Sequence, residues 1–423
     1  MLERSEKAEG KPVALVGGML IDGTGKDPLE NSVVVTKDAL IEEAGRSDRV
    51  KLPAGCDILD VAGKTVMPGM MDLHVHLSLG DEPIVPRGGV MSGLEQSLPM
   101  LGIQVFRRAR RTLEMGVTTV RDAGDWGYAT VALRDAIAAG IVEGPRILSS
   151  GQMITATGGH ADLMPLWLER TDDVTNVADG VDGVLKAVRR QVKMHVDWVK
   201  FFATGGIMDP YDEQEFTDEE MATLIYESHS KGRRVCTHAV QSRGMLAAVK
   251  AGVDTIEHGS YLTEEIIELM IKKGIYLVPT LYAPYSLVER GSEFGLPQTY
   301  VERARPVLAP HLESFRMARQ AGVKMAMGTD AGYTPCPHGT NAFELELMVD
   351  NGMSEMESIV AATRTAAEAL GLATKLGTIE QGKWADLIVI DGNPLEDIRI
   401  LQREESIALV MKEGTISANN VTE

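Results

Sequence analysis

Eight short apolar segments recur through the middle of the chain, and a helical pattern follows most of them before the next begins. They are GMMDLHVHL (69–77), GVTTVRDAG (116–124), PRILSSGQ (145–152), VDWVKFFATGG (196–206), RRVCTHAV (233–240), VDTIEHGS (253–260), IYLVPTL (275–281) and VKMAMGTDAG (323–332). The pieces between them place apolar residues at helical spacing, as in TDEEMATLIYESHSKG, RGMLAAVKAG and EEIIELMIKKG. Several open on Thr, Asp or Glu and close on Gly, the start and stop signals of helices. Eight alternating strand–helix units predict an α/β fold of the (β/α)8 TIM-barrel type. An open doubly wound sheet is the competitor, but no glycine-rich phosphate loop follows the first segment.

The two ends read differently. VALVGGMLIDG, SVVVTKDALIEEAG and CDILDVAGKTVMPG near the start, and KWADLIVIDGNP and IALVMKEGTIS near the finish, are short β-type runs punctuated by Gly, Asp and Pro. We expect residues 1–67 and 377–423 to form one small composite β-sandwich, with the barrel over 68–376. With 423 residues the chain is long enough for both units. Net charge is −19 without a long Lys/Arg run, so nucleic acid is not an expected partner. No apolar run reaches the ~20 residues that span a bilayer, so no membrane partner is expected either. Cys56, Cys236 and Cys336 are far apart and odd in number. That argues against a disulfide framework and suits a reducing compartment. With no apolar secretory stretch in MLERSEKAEGK, a cytoplasmic location is expected.

Ligand-type residues sit at the C-terminal ends of the barrel segments, where barrel active sites lie. They are His74 and His76 on the first, Lys200 on the fourth, His238 on the fifth, His258 on the sixth and Asp330 on the eighth. Residues i and i+2 of a strand share a face, so His74 and His76 reach the same side. Taken singly each has a bland explanation: a lone strand-end His is more often structural, and an Asp before Ala-Gly is usually a turn former. Lys200 is odd in any reading, because a buried ammonium is costly. Joint occurrence at one end of one barrel is what argues for a site, and imidazoles with a carboxylate suit zinc or a similar metal.

MDLHVHL, DWVKFFATGG, THAV, IEHGS and MGTDAG together resemble the metal-site motifs of the amidohydrolase superfamily. The similarity is greater to its imidazolonepropionase-related branch, which includes prolidase-like dipeptidases, Arg/Lys carboxypeptidases and ochratoxin-hydrolysing amidohydrolases. It runs from VMPGMMDLHVH to GTIEQGKWADLIVIDGNP, nearly the whole chain. The resemblance implies two divalent metal ions, zinc by expectation. His74, His76 and Asp330 would bind one ion and His238 and His258 the other. Lys200, carboxylated by carbon dioxide, would bridge the two. It also implies hydrolysis of a peptide or N-acyl amino-acid amide by a metal-bridging hydroxide, with Asp330 moving the proton to the leaving nitrogen. A homo-oligomer is implied as well.

Among further candidates, His160 in TATGGHAD is expected to contact substrate and take part in catalysis, and His338 in PCPHGTNAFE to line the mouth. Arg121 and Asp122 are expected to form a buried structural pair. His195, His229 and His311 lie in helical patterns and are expected to face solvent. Peptidase-like relatives often carry Tyr two residues after the fifth-strand His, to hold a substrate carboxylate. Here the position is Val240, which suits a more apolar acyl amino acid. Cyclic amides of imidazolone or hydantoin type are the alternative substrates. A single-metal deaminase fits less well, because such enzymes usually lack the strand-four lysine. A non-catalytic assembly protein on this fold is the remote alternative.

Overall fold

The computed structural model describes residues 10–80, 96–163, 176–207 and 214–419. The first barrel strand, Met70–Val75, pairs in parallel with the second, Val117–Asp122, which pairs with the third, Arg146–Ser149. The Asp197 amide donates to the Ser149 carbonyl (2.8 Å) and carries the ring on to the fourth strand, Trp198–Phe202. Arg234–Ala239, Thr255–His258 and Tyr276–Val278 continue it in parallel.

The eighth segment differs from the expected strand. Residues 324–331 touch their neighbours through isolated bridges instead of a continuous ladder. On one side the Ala326 amide donates to Leu277 (2.9 Å), and on the other the Leu73 amide donates to Met327 (2.9 Å) and that of Asp330 to His74 (2.7 Å). These bonds close the barrel. The ladder is broken where Gly328 lets the backbone pass so close to Val278 and His74 that a Cβ would collide with Val278 Cγ1 at 2.3 Å.

The outer helices follow their sequence signals. Asp218–Ser230 opens on a capping box between Thr217 and Glu220. Glu264–Lys273 opens on Thr263 and ends at Gly274, whose left-handed backbone (φ 71°) a side chain would resist.

The ends form a two-sheet sandwich. One sheet runs Leu40–Arg46, Ser32–Lys37, Val13–Val16, Asp57–Asp60. The other runs Thr415–Asn419, Ile407–Lys412, Leu387–Ile390, Thr65–Pro68, Met19–Leu20, and so joins both termini. Leu15, Val34, Ile41, Leu387, Val389 and Leu409 fill the space between the sheets. Ile388, Ile390 and Val410 belong instead to the barrel core. Leu387–Ile390 therefore buries alternate residues in two different cores, which is why it reads as an unbroken apolar run. Among the described residues, no helix is long and apolar enough to cross a membrane.

Candidate metal centre

Parallel barrel strands put their C-terminal ends at one face, so side chains far apart in sequence converge there. His74, His258 and Asp330 each offer a ligand atom, and these atoms lie within 4.8 Å of one another. His76 joins them, its Nε2 3.1 Å from Asp330 Oδ1, while His74 Nε2 lies 3.5 Å from the same oxygen. The His238 ring sits 4.4 Å from that of His258, and the His160 ring stacks on His238 at 4.7 Å, with Phe202 at 5.1 Å from it.

Each imidazole has one nitrogen taken by the surrounding protein. His74 Nδ1 meets Glu257 Oε2 (2.7 Å), His76 Nδ1 donates to the Gly124 carbonyl (3.1 Å), and His258 Nδ1 meets Thr280 Oγ1 (2.6 Å). His238 is turned the other way, with Nε2 on the Gly205 carbonyl (3.3 Å). That leaves Nε2 of His74, His76 and His258, and Nδ1 of His238, as the nitrogens available as metal ligands.

The electrostatics favour a donor set. Burial pushes His74, His238 and His258 well below the usual imidazole range, and neighbouring cationic groups, Lys200 among them, push them further, so the rings are neutral and keep a lone pair. Burial pushes the Asp330 carboxyl up, but His74, His76 and Lys200 beside it more than offset this and hold it low. Lys200 is 1% exposed, and among the described residues no carboxylate pairs with it. The Phe202 ring lies 5.6 Å from its Nζ. Burial lowers its pKa, although Cys236, Glu257 and Asp330 act in the opposite sense. Neutral imidazoles, a carboxylate and a buried amine are what borderline divalent ions with a carbamate bridge require, so the residues fit such a centre.

The backbone at this face is strained. His258, Thr280 and Asp330, at the ends of the sixth, seventh and eighth segments, all hold positive φ (70°, 50° and 63°). Non-glycine residues in that region cluster at functional sites. Asp72 lies beneath, accepting from the His74 and Thr329 amides, the Thr329 hydroxyl and Asn341, and so ties the first strand to the turn before Asp330. Burial raises its pKa to about 6.

The remaining candidates fall in varied places. His160 is anchored from behind by Glu215, whose carboxylate accepts from the His160 amide (2.7 Å) and the Thr155 hydroxyl (2.8 Å). Val240 is 1% exposed, and its amide donates to Thr204 Oγ1. His338 is buried, with Nε2 against the His76 carbonyl (3.2 Å) and Nδ1 against Thr112 Oγ1 (3.3 Å), which braces the first strand. Arg121 and Asp122 are both buried but do not pair: Arg121 Nη2 reaches across the barrel to Glu257 (2.7 Å), while Asp122 accepts from the Leu77 and Gly124 amides. Strand alternation sends the two adjacent side chains to opposite faces. His195 and His229 are exposed as expected. His311 is not: it is 1% exposed, with Nδ1 on Ser260 Oγ (2.7 Å), because its helix docks over the loop after the sixth strand. Glu257, Thr280 and Glu215 carry no motif of their own and were not among the expected residues.

The sequence model of the Amidohydrolase family matches residues 65–417. Ochratoxinase of Aspergillus niger is 32% identical over 96% of this chain and 87% of its own length. Imidazolonepropionase of Rhizobium rhizogenes is 26% identical over 86% of this chain and 88% of its own. The crystal structure of a Xaa-Pro dipeptidase with methionine in its active site superposes with a TM-score of 0.86 at 35% identity, covering 96% of this chain and 99% of that one.

Proposed function

This chain belongs to the amidohydrolase family and hydrolyses carbon–nitrogen amide bonds, and we propose that it does so as a binuclear metal enzyme acting on a peptide or N-acyl amino-acid amide. His74, His76 and Asp330 would hold one ion, His238 and His258 the other, and Lys200, as a carbamate, both. The observation that carries this reading is Lys200, a buried amine among neutral imidazoles that no carboxylate of the described residues pairs with. Burial lowers the Nζ pKa and so favours the neutral form, whose lone pair would bond to the carbon of carbon dioxide. Loss of one proton then leaves an anion where a cation would have been costly. Divalent ions, if held by these residues, would supply Lewis acidity toward a water and the scissile carbonyl.

The protein's own groups do the rest. Asp330 Oδ1, facing both His74 and His76, accepts the proton of the attacking water and returns it to the leaving nitrogen, without which an amine leaves poorly. His160, flat against His238 and held by Glu215, contacts the substrate. Val240 offers no hydroxyl, so a substrate carboxylate is not captured from that position. This favours acyl amino acids with apolar groups, in line with the ochratoxinase likeness. Cyclic amides form a second class, supported by the imidazolonepropionase likeness. A panel of N-acyl amino acids, dipeptides and cyclic amides, assayed with and without chelator, tests the proposal. Chelator-sensitive turnover of acyl amino acids or dipeptides is expected. Turnover confined to cyclic amides would favour the second class, and turnover indifferent to chelator would overturn the metal reading.

A further inference from the structure

Glu257 stands immediately before His258 but turns into the barrel, wholly buried. Its Oε2 lies 2.7 Å from His74 Nδ1. Its Oε1 accepts from Arg121 Nη2 (2.7 Å) and from the Thr255 hydroxyl. Arg121 is held in turn: Nη1 donates to Thr255 Oγ1 (2.9 Å), Nε donates to the Leu73 carbonyl (2.6 Å), and the guanidinium lies 4.6 Å over the Trp198 ring. The group thus clamps both the carboxylate beneath His74 and the residue just before His74 in the chain.

The hydrogen-bond inventory allows one arrangement. A guanidinium only donates, and a carboxylate only accepts. With Oε1 taken by Arg121 and Thr255, Oε2 is left to accept from His74, so the ring proton sits on Nδ1. The Nε2 lone pair then faces Asp330 and the cluster. We propose that Glu257, locked by Arg121 and Thr255, is a positioning residue that fixes the tautomer of His74 and so presents Nε2 as a metal ligand. This rests on the metal-centre reading above. Carboxylates behind a ligating imidazole set its orientation and basicity, and their loss typically costs about 10–100-fold in metal affinity.

Glu257→Gln preserves shape and removes only this instruction. Its amide oxygen must face Arg121, so its NH2 faces His74 Nδ1 and forces the proton onto Nε2, where the lone pair is needed. The test uses metal-free, full-length protein labelled with 15N-histidine, with His74→Gln to assign the signal. Long-range 1H–15N spectra report the tautomer, and zinc competition against a chromophoric chelator reports affinity. The expected result is an Nδ1–H His74 in the wild type, with an Nε2–H form and about 10–100-fold weaker zinc binding in Glu257→Gln. An Nε2–H His74 in the wild type, or zinc affinity in the variant within twofold of normal, would overturn the proposal. If the variant does not fold, the wild-type spectrum alone decides. A wild-type protein that binds no zinc would instead overturn the metal-centre reading, and the His74 spectrum would still judge the tautomer.

Discussion

Asp330 concentrates the chemistry of the site in one side chain. It is held low by His74, His76 and Lys200, stands on a left-handed backbone, and has its oxygen within 3.5 Å of two imidazoles. Asp330→Asn keeps the shape and removes the proton acceptor. We expect kcat to fall at least ~10²-fold at retained metal content, with a much smaller change in KM, the signature of a lost proton transfer. Steady-state kinetics on any substrate found in the panel would show it, and a kcat within twofold of normal would remove Asp330 from that role. At this scale the sequence was informative where residue type and strand period coincide. His74 and His76 share a face because they are two apart, and His238, His258 and Asp330 stand at the ends of their segments, while Lys200 stands mid-strand, two register positions below His238. Glu257 was not legible. A Glu in TIEH reads as the outward member of an alternating strand, and its partners His74 and Arg121 lie 183 and 136 residues away. Arg121 misled for the same reason, since its neighbour in sequence is not its neighbour in the barrel.

At the scale of elements, the helix Gln298–Ala321 shows what periodicity leaves out. It contains Pro306 and Pro310, and its buried face includes His311, Ser314 and Phe315. Which face of a helix is covered depends on what it docks against, and here that is the loop after the sixth strand: His311 meets Ser260 Oγ, and Ser314 Oγ donates to the Ser260 carbonyl. Burial lowers the pKa of His311 to about 4 from an ordinary 6.5. Between those values the unfolded chain binds the extra proton, so stability contributed by the neutral ring is complete above 6.5 and is lost as pH falls toward 4. The full effect is on the order of 3 kcal/mol. We expect His311→Gln to flatten the fall in urea midpoint between pH 7 and pH 4.5 relative to wild type. Parallel profiles for the two proteins would show that His311 does not drive acid lability. The eighth segment makes a related point: VKMAMGTDAG was legible as an element, but Gly328 and the turn into Asp330 reduce it to bridges, a consequence of close packing that no propensity records.

Over the whole molecule, the barrel and the terminal sandwich are joined by shared apolar packing and by ion pairs, Arg111 with Glu404 (2.9 Å) at the surface and a more buried clip at Arg146. Arg146, at the start of the third barrel strand, donates to Asp386 (2.6 Å) and Glu413 (3.0 Å) and lies 4.4 Å over the Trp384 ring. We propose the division into residues 68–376 and the composite unit 1–67 with 377–423. The outermost positions, 1–9 and 420–423, lie outside the described residues. Asp386 is 4% exposed, so Arg146→Ala would strand a buried carboxylate and is expected to cost about 3 kcal/mol. In chemical denaturation the double variant Arg146→Met with Asp386→Leu should recover most of that loss. A single variant as stable as wild type would show that the Arg146 clip does not help to hold the units together.

We propose that this barrel holds two divalent ions through a carboxylated Lys200. Metal content per chain by plasma mass spectrometry, on wild type and on Lys200→Ala purified alongside, tests it most directly. Close to two ions per wild-type chain are expected, and the loss of one or both, with nearly all activity, in Lys200→Ala. One ion per wild-type chain, or a Lys200→Ala protein with full metal and near-normal turnover, would contradict it.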